Sequence, residues 1–253
     1  MNLFQSIILS IVEGITEFLP ISSTGHLILA ADLLRIPQTD FVKTFEIAIQ
    51  LGAIFSVVFL YKDTLIQKVH LWKKILTAFI PTAIVGAVFY NFIKDYLLGS
   101  KGVVTFSLIA GGVLLIAFEL MFKPKESKEA IDKINGKTAF IIGLFQSVSV
   151  IPGVSRAAAT IIGGLAAGVN RKTAVEFSFL LAVPTMLAAT AYDLIKSFGS
   201  VSASEVGLLL AGFLGAFVTA SFTIKVFIKF IEKNNFLSFG VYRVLVGIIF
   251  LVK

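Results

Sequence analysis

Two apolar stretches constrain this chain more than any other feature. Residues 3–34 are interrupted at Leu19-Pro20-Ile21-Ser22-Ser23-Thr24-Gly25, and residues 138–169 at Ile151-Pro152-Gly153-Val154-Ser155. A bilayer-spanning helix needs about 20 mostly apolar residues, so each stretch is too long for one span. Each also carries a breaker near its centre. Two half-helices of about 12–15 residues joined by a tight turn satisfy both facts. Such a re-entrant hairpin enters and leaves on one side. Its non-helical turn is tolerated at membrane depth only where protein buries it or a cavity receives it.

Six further segments, about 44–61, 75–93, 102–122, 173–195, 206–228 and 237–252, fit or nearly fit single spans. The expected fold is therefore an all-α polytopic membrane protein with about six transmembrane helices and two re-entrant helical hairpins. Composition agrees, with 57% of residues hydrophobic and 15% charged. A soluble protein cannot hide that apolar excess, which excludes a soluble globular enzyme. With no cysteine there is no disulfide, thiol nucleophile or Cys-based metal site. The two histidines, His26 and His70, cannot make a zinc site alone. The N-terminal apolar run lacks a basic leader and carries Glu13 and Glu17, so no cleavable signal is expected.

The net charge of +7 is a topology signal rather than a nucleic-acid footprint. Lys62, Lys68, Lys73, Lys74, Lys123, Lys125, Lys128, Lys133, Lys137, Arg171, Lys172, Lys225, Lys229 and Lys233 fall on one side of this layout, fourteen of the 22 Lys and Arg. Arg35, Lys43, Lys94, Lys101, Lys196 and Lys253 fall on the other, and Arg156 and Arg243 lie within apolar segments. The positive-inside rule makes the heavy side cytoplasmic. Both termini are then expected outside, with the first hairpin entering from outside and the second from the cytoplasm.

The polar stretch 123–137 reads as a solvated cytoplasmic linker within a single membrane domain. It divides the chain into repeat one, about 1–122, and repeat two, about 138–253. The segment from Phe45-Glu46 resembles that from Val175-Glu176 at an offset of 130 residues, and a Pro/Ser hairpin precedes each. Hairpins entering from opposite faces make the repeats inverted in topology, a plan common to transporters.

Glu13 and Glu17 are four residues apart and share one helical face. A carboxylate facing lipid costs about 2.5 kcal/mol or more, so both must face a polar interior. Two carboxylates held together share a proton or a cation, and hard Mg²⁺ or Ca²⁺ accepts such oxygens. The plainer alternative is a structural polar pair. Ser22, Ser23 or Thr24 can cap the second half-helix, whose fresh N–H groups suit phosphate. His26 lies one turn in, placed to act as base or nucleophile. In the second hairpin Ser155 can cap a helix running from Arg156 to Gly168, and Thr160 shares the face of Arg156. Arginine suits bidentate phosphate binding; the plainer reading pairs Arg156 with Glu13 or Glu17. If the tips meet, the set reads as a metal-assisted phosphate or diphosphate site. Glu46 and Glu176 either support the hairpins or line the cavity. Glu119, Asp193 and Arg243 are expected to snorkel or pair near span ends. His70 is expected to be solvated, and Gly111-Gly112 and Gly163-Gly164 to admit close helix contact.

Glu13-Gly14-Ile15-Thr16-Glu17-Phe18-Leu19-Pro20-Ile21-Ser22-Ser23-Thr24-Gly25-His26 resembles the first signature of the undecaprenyl-diphosphate phosphatase family, also called bacitracin-resistance proteins. Pro152-Gly153-Val154-Ser155-Arg156 through Thr160 resembles the second, and the likeness spans essentially the whole chain. The resemblance implies a multi-pass phosphatase of the bacterial plasma membrane, using a divalent cation (Mg²⁺ or Ca²⁺). It would hydrolyse an isoprenoid diphosphate lipid to the monophosphate carrier and inorganic phosphate for cell-wall synthesis. It implies metal and proton roles for Glu13 and Glu17, and Ser23 or His26 as attacking group or base. It implies diphosphate binding by Ser22, Thr24, Ser155, Arg156 and Thr160. Where the family pattern usually continues with Ser and Gly, this chain has Ala157 and Ala158. A transporter or flippase of the isoprenoid phosphate lipid is the competing reading. Oligomeric state, a homodimer included, is left open.

Overall fold

The computed structural model describes residues 1–97, 100–121, 131–197 and 203–252. Loop residues 123–130, Lys253 and the side chains of Lys94, Asp193 and Lys196 lie outside what it describes. Among the described residues there is no β-strand. The helices are α1 (Leu3–Thr16), α2 (Ser23–Leu33), α3 (Asp40–Leu60), α4 (Lys62–Gln67), α5 (Val69–Val88) and α6 (Tyr90–Phe92). They continue with α7 (Lys101–Met121), α8 (Gly136–Ser147), α9 (Arg156–Ala166), α10 (Arg171–Ser197), α11 (Ala203–Ile231) and α12 (Leu237–Val252).

Capping chemistry starts most of the elements that matter. Asn2 and Gln5 form a reciprocal capping box on α1, both bonds at 2.9 Å. Thr39 accepts from the Val42 N–H at the head of α3, and Asn135 from Thr138 N–H at the head of α8. The first half-helix ends at Thr16, earlier than Pro20 alone would require. Glu17 keeps helical dihedrals as its C-cap, so it stays on the face of Glu13.

Among the described residues, five helices are long and apolar enough to cross a membrane, within α3, α5, α7, α10 and α11. The sixth expected span, α12, has 16 residues. At about 1.5 Å per residue it is shorter than a hydrocarbon core of about 30 Å. The outer surface is apolar: Phe106, Leu114, Val218 and Phe222 are exposed. Polar side chains lie inside instead, with Ser10, Glu13, Ser56, Gln146, Ser178 and Arg243 fully buried. That inside-out pattern is the one lipid demands.

Each hairpin is cradled by the other half of the chain. Helix α1 packs chiefly on α11, and α8 packs chiefly on α5. Both seats need a bare backbone. A Cβ on Gly14 would lie 2.7 Å from Thr219 of α11, and one on Gly143 would collide with the Ala78 carbonyl of α5. The two glycine pairs also sit at helix contacts, Gly111-Gly112 against α12 and Gly163-Gly164 against α8 and α10.

The basic residues expected on one side do converge. Lys68 reaches Asp132 at 3.1 Å, Lys74 donates to the Asp132 carbonyl, Lys172 reaches Glu232 at 2.7 Å and Arg171 pairs with Glu119. The hydrogen bond from Lys68 holds the exposed Asp132 carboxyl below the usual carboxylate range. The described end of the expected linker is docked rather than simply solvated, because Ile131 and Ile134 are buried in the main core. His70 is exposed.

Candidate active site

The turns of the two hairpins meet at the head of an open cavity of about 570 Å³. Ser22 accepts from the Gly25 N–H and Ser155 from the Ala158 N–H, so each caps the inner helix of its hairpin. Both serines hold left-handed backbones, φ 73 and φ 74. Such dihedrals are uncommon for a residue with a side chain and belong to tightly specified turns.

Glu17 joins the hairpins. Its Oε1 accepts from Arg156 Nη2 at 2.8 Å, and its Oε2 accepts from the Ser23 hydroxyl at 2.6 Å. The plainer expectation for Arg156, pairing with a carboxylate, thus describes its contact with Glu17. Arg156 and Glu17 side chains are 11% and 6% exposed, and breaking such a buried pair costs about 3–5 kcal/mol. Arg156 Nη1 donates to the Ser178 carbonyl at 2.9 Å and the Ser178 hydroxyl at 3.3 Å, while its ring-side neighbour is Phe18. Its Nε has no acceptor among the described residues.

Of the residues singled out from the sequence, Glu17, Ser22, Ser23, Thr24, Ser155 and Arg156 line the cavity. Three others lie behind its wall. Glu13 is fully buried, both carboxylate oxygens lack a hydrogen-bond partner, and its charged neighbours are Glu17, Glu46 and Arg156. His26 is committed at both ring nitrogens, Nδ1 to the Ser22 carbonyl at 2.7 Å and Nε2 to the Tyr242 hydroxyl at 2.8 Å. A carbonyl only accepts, so Nδ1 carries the proton and Nε2 accepts from tyrosine. Thr160 donates to the Ser178 hydroxyl at 2.6 Å and also approaches the Arg156 carbonyl. It therefore braces the seat of Arg156 and does not reach the cavity.

Two residues in this arrangement were not picked out by sequence reasoning, and a third was given a different role. Ser178 and Tyr242 are ordinary members of apolar helices. Arg243 carried a signal, a permanent charge in an apolar segment, but it neither snorkels nor pairs with an acidic side chain among the described residues. It is fully buried and bonds to carbonyls of both turns. Glu119 does pair, with Arg171 and the Phe236 N–H.

Away from the polar head the cavity becomes apolar. Phe79, Ala83 and Ala87 of α5 line it, together with Ala188, Ala189 and Tyr192 of α10. A hydroxyl, a carboxylate and a guanidinium at one end of an apolar channel suit an anionic headgroup on a hydrocarbon tail.

Residues 6–249 match the family model described as bacitracin resistance protein BacA. The chain belongs to that family. Among similar BacA-family proteins is an undecaprenyl-diphosphatase of Aquifex aeolicus, 52% identical over 99% of this chain and 98% of its own. One of Persephonella marina is 53% identical over 100% and 99%, and one of Methanococcus aeolicus 44% over 100% and 98%.

Proposed function

We propose that this BacA-family protein is an integral membrane phosphatase of the bacterial plasma membrane. It hydrolyses undecaprenyl diphosphate to undecaprenyl phosphate and inorganic phosphate, which recycles the lipid carrier for cell-wall synthesis and confers bacitracin resistance. The observation that carries this reading is the Ser23–Glu17–Arg156 constellation on the wall of the cavity. The activity named for the relatives favours hydrolysis over lipid transport.

Ser23 is the nucleophile and Glu17 its base, because their hydrogen bond is already made. The Ser23 oxygen attacks the terminal phosphorus as its proton passes to Glu17. The bond from that phosphorus to the bridging oxygen breaks, and the lipid monophosphate leaves. The departing lipid monophosphate carries away the proton that Glu17 accepted. Water then attacks the phosphoserine phosphorus, its proton passes through Glu17 to the departing Ser23 oxygen, and inorganic phosphate is released. Arg156, held by Ser178, stabilises charge on the transferring group. His26 holds the Ser22 turn rather than attacking.

The donor set fits a divalent cation. The oxygens of Glu13 are buried acceptors with no donor, and Glu17 is its neighbour. No group of three or more His, Asp or Glu side chains is placed to hold a metal ion among the described residues. Glu13 and Glu17 would be the residues that hold Mg²⁺ or Ca²⁺. Its chemistry would be to neutralise phosphate charge.

The apolar arm of the cavity follows the C-terminal halves of α5 and α10, away from the basic ends at Lys68 and Arg171. With the basic face cytoplasmic, both termini lie outside and the cavity serves the outer leaflet. Purified protein in detergent tests the proposal. It should release phosphate from farnesyl or undecaprenyl diphosphate, and EDTA should abolish release until Mg²⁺ or Ca²⁺ is restored. Protein that moves the lipid monophosphate across vesicle bilayers and releases no phosphate would overturn it.

A further inference from the structure

Arg243 is a fully buried cation, and it lies outside the cavity. A guanidinium has five N–H donors. Nη1 donates to the Pro20 carbonyl at 3.2 Å and the Val154 carbonyl at 2.9 Å. Nη2 donates to the Gly153 and Ser107 carbonyls, each at 3.0 Å, and Nε to the Leu108 carbonyl at 3.4 Å. No acidic side chain pairs with it among the described residues. A buried charge without a counter-ion is costly, so a packing role alone is better served by an apolar side chain.

The choice of carbonyls is informative. Pro20 and Gly153 stand 133 residues apart, the same spacing that separates the capping serines Ser22 and Ser155. One side chain therefore grips the same position of both hairpin turns. The neighbouring helix is cut away to admit it, since a methyl on Gly111 would collide with the Arg243 guanidinium. Ser23 and Glu17 belong to one hairpin and Arg156 to the other. Their relative placement depends on how the two turns are held together.

We propose that Arg243 is a positioning residue for the reaction: by binding equivalent carbonyls of both turns it sets the register between the nucleophile of one hairpin and the guanidinium of the other. A misplacement of about 1 Å between reacting groups costs about 100-fold in rate. Lysine has three donors on one point and cannot span both turns. The kinetic part of this inference rests on the phosphatase reading, whereas the structural part does not.

The absence of cysteine makes the test direct. Leu33→Cys with Ala166→Cys places nitroxide labels at exposed, equivalent positions at the ends of α2 and α9. Electron–electron double resonance then reads the distance between the hairpins without reference to any substrate. The parent pair should give one narrow distance. Arg243→Met and Gly111→Ala should broaden or shift it, and Arg243→Lys should do so to a smaller degree. In unlabelled protein, Arg243→Met should lower kcat for farnesyl diphosphate about 100-fold with KM little changed. In an Arg156→Ala background the same change should cost far less, because the group to be aligned is already gone. If Arg243→Met does not fold, Gly111→Ala keeps the arginine, raises helix propensity and carries the same expectations. Unchanged distances in these variants would overturn the inference, and so would disturbed distances with undiminished kcat. Loss of phosphate release from the parent protein would instead overturn the functional reading and leave the distance result standing.

Discussion

Placed side by side at the 133-residue spacing, the two hairpins share a backbone and divide the chemistry. Pro20 corresponds to Gly153 and Ser22 to Ser155, and both serines adopt the same left-handed cap. Glu13 corresponds to Gln146, Ser23 to Arg156 and His26 to Ala159. The first hairpin carries the carboxylates and hydroxyl, the second the cation. Gln146, fully buried, donates to Thr82 at 2.9 Å and Thr185 at 3.2 Å. Glu13, equally buried, has no such partner. A satisfied amide is structural, whereas a buried carboxyl facing that of Glu17 must share a proton or a cation with it. The scaffold thus lives in what the hairpins share, and function in where they differ.

The largest effects should come from the first hairpin. Ser23→Ala and Glu17→Gln should each lower kcat by about 1,000-fold or more with little change in KM, measured by phosphate release. Retention of a tenth of the activity in either would move the chemistry elsewhere. On the second hairpin, Arg156→Lys should cost about 100–1,000-fold in kcat/KM, because an ammonium cannot reproduce the fork that meets Glu17 and Ser178.

Exchanging the paired buried positions sharpens the contrast. Gln146→Glu should remove both amide donations and destabilise the protein by about 2–3 kcal/mol, seen as a lower Tm in detergent. Glu13→Gln should leave Tm nearly unchanged and raise the divalent cation concentration needed for half-maximal rate. Equal Tm losses would erase the distinction drawn between the two positions. The smallest effect should come from Tyr242→Phe, which removes one neutral hydrogen bond from His26. It should lower kcat about fivefold, consistent with about 1 kcal/mol.

How much was legible in advance follows the range of the interactions. The hairpins, their breakers, the serine caps and the isolated charge at Arg156 are local features, readable from spacing and hydropathy. The partner choices were not. Arg243 meets Pro20 across 223 residues and His26 meets Tyr242 across 216, distances at which pattern reasoning has no purchase. Thr160 illustrates the same boundary. Its place one turn beyond Arg156 was readable, but only packing shows that Ser178 takes its hydroxyl away from the cavity. Helix α12 keeps the bounds expected from the sequence, 237–252, and only packing shows that it is built around the buried Arg243.

The division of labour between the hairpins reduces to one question, which atom receives the phosphoryl group. Farnesyl diphosphate labelled in its terminal phosphate, mixed with the protein and quenched within one turnover, should leave label on the peptide containing Ser23. Mass spectrometry should place it on the Ser23 hydroxyl, and Ser23→Ala should abolish it. Label on His26, or turnover with no phosphoenzyme at any quench time, would contradict a serine nucleophile activated by Glu17.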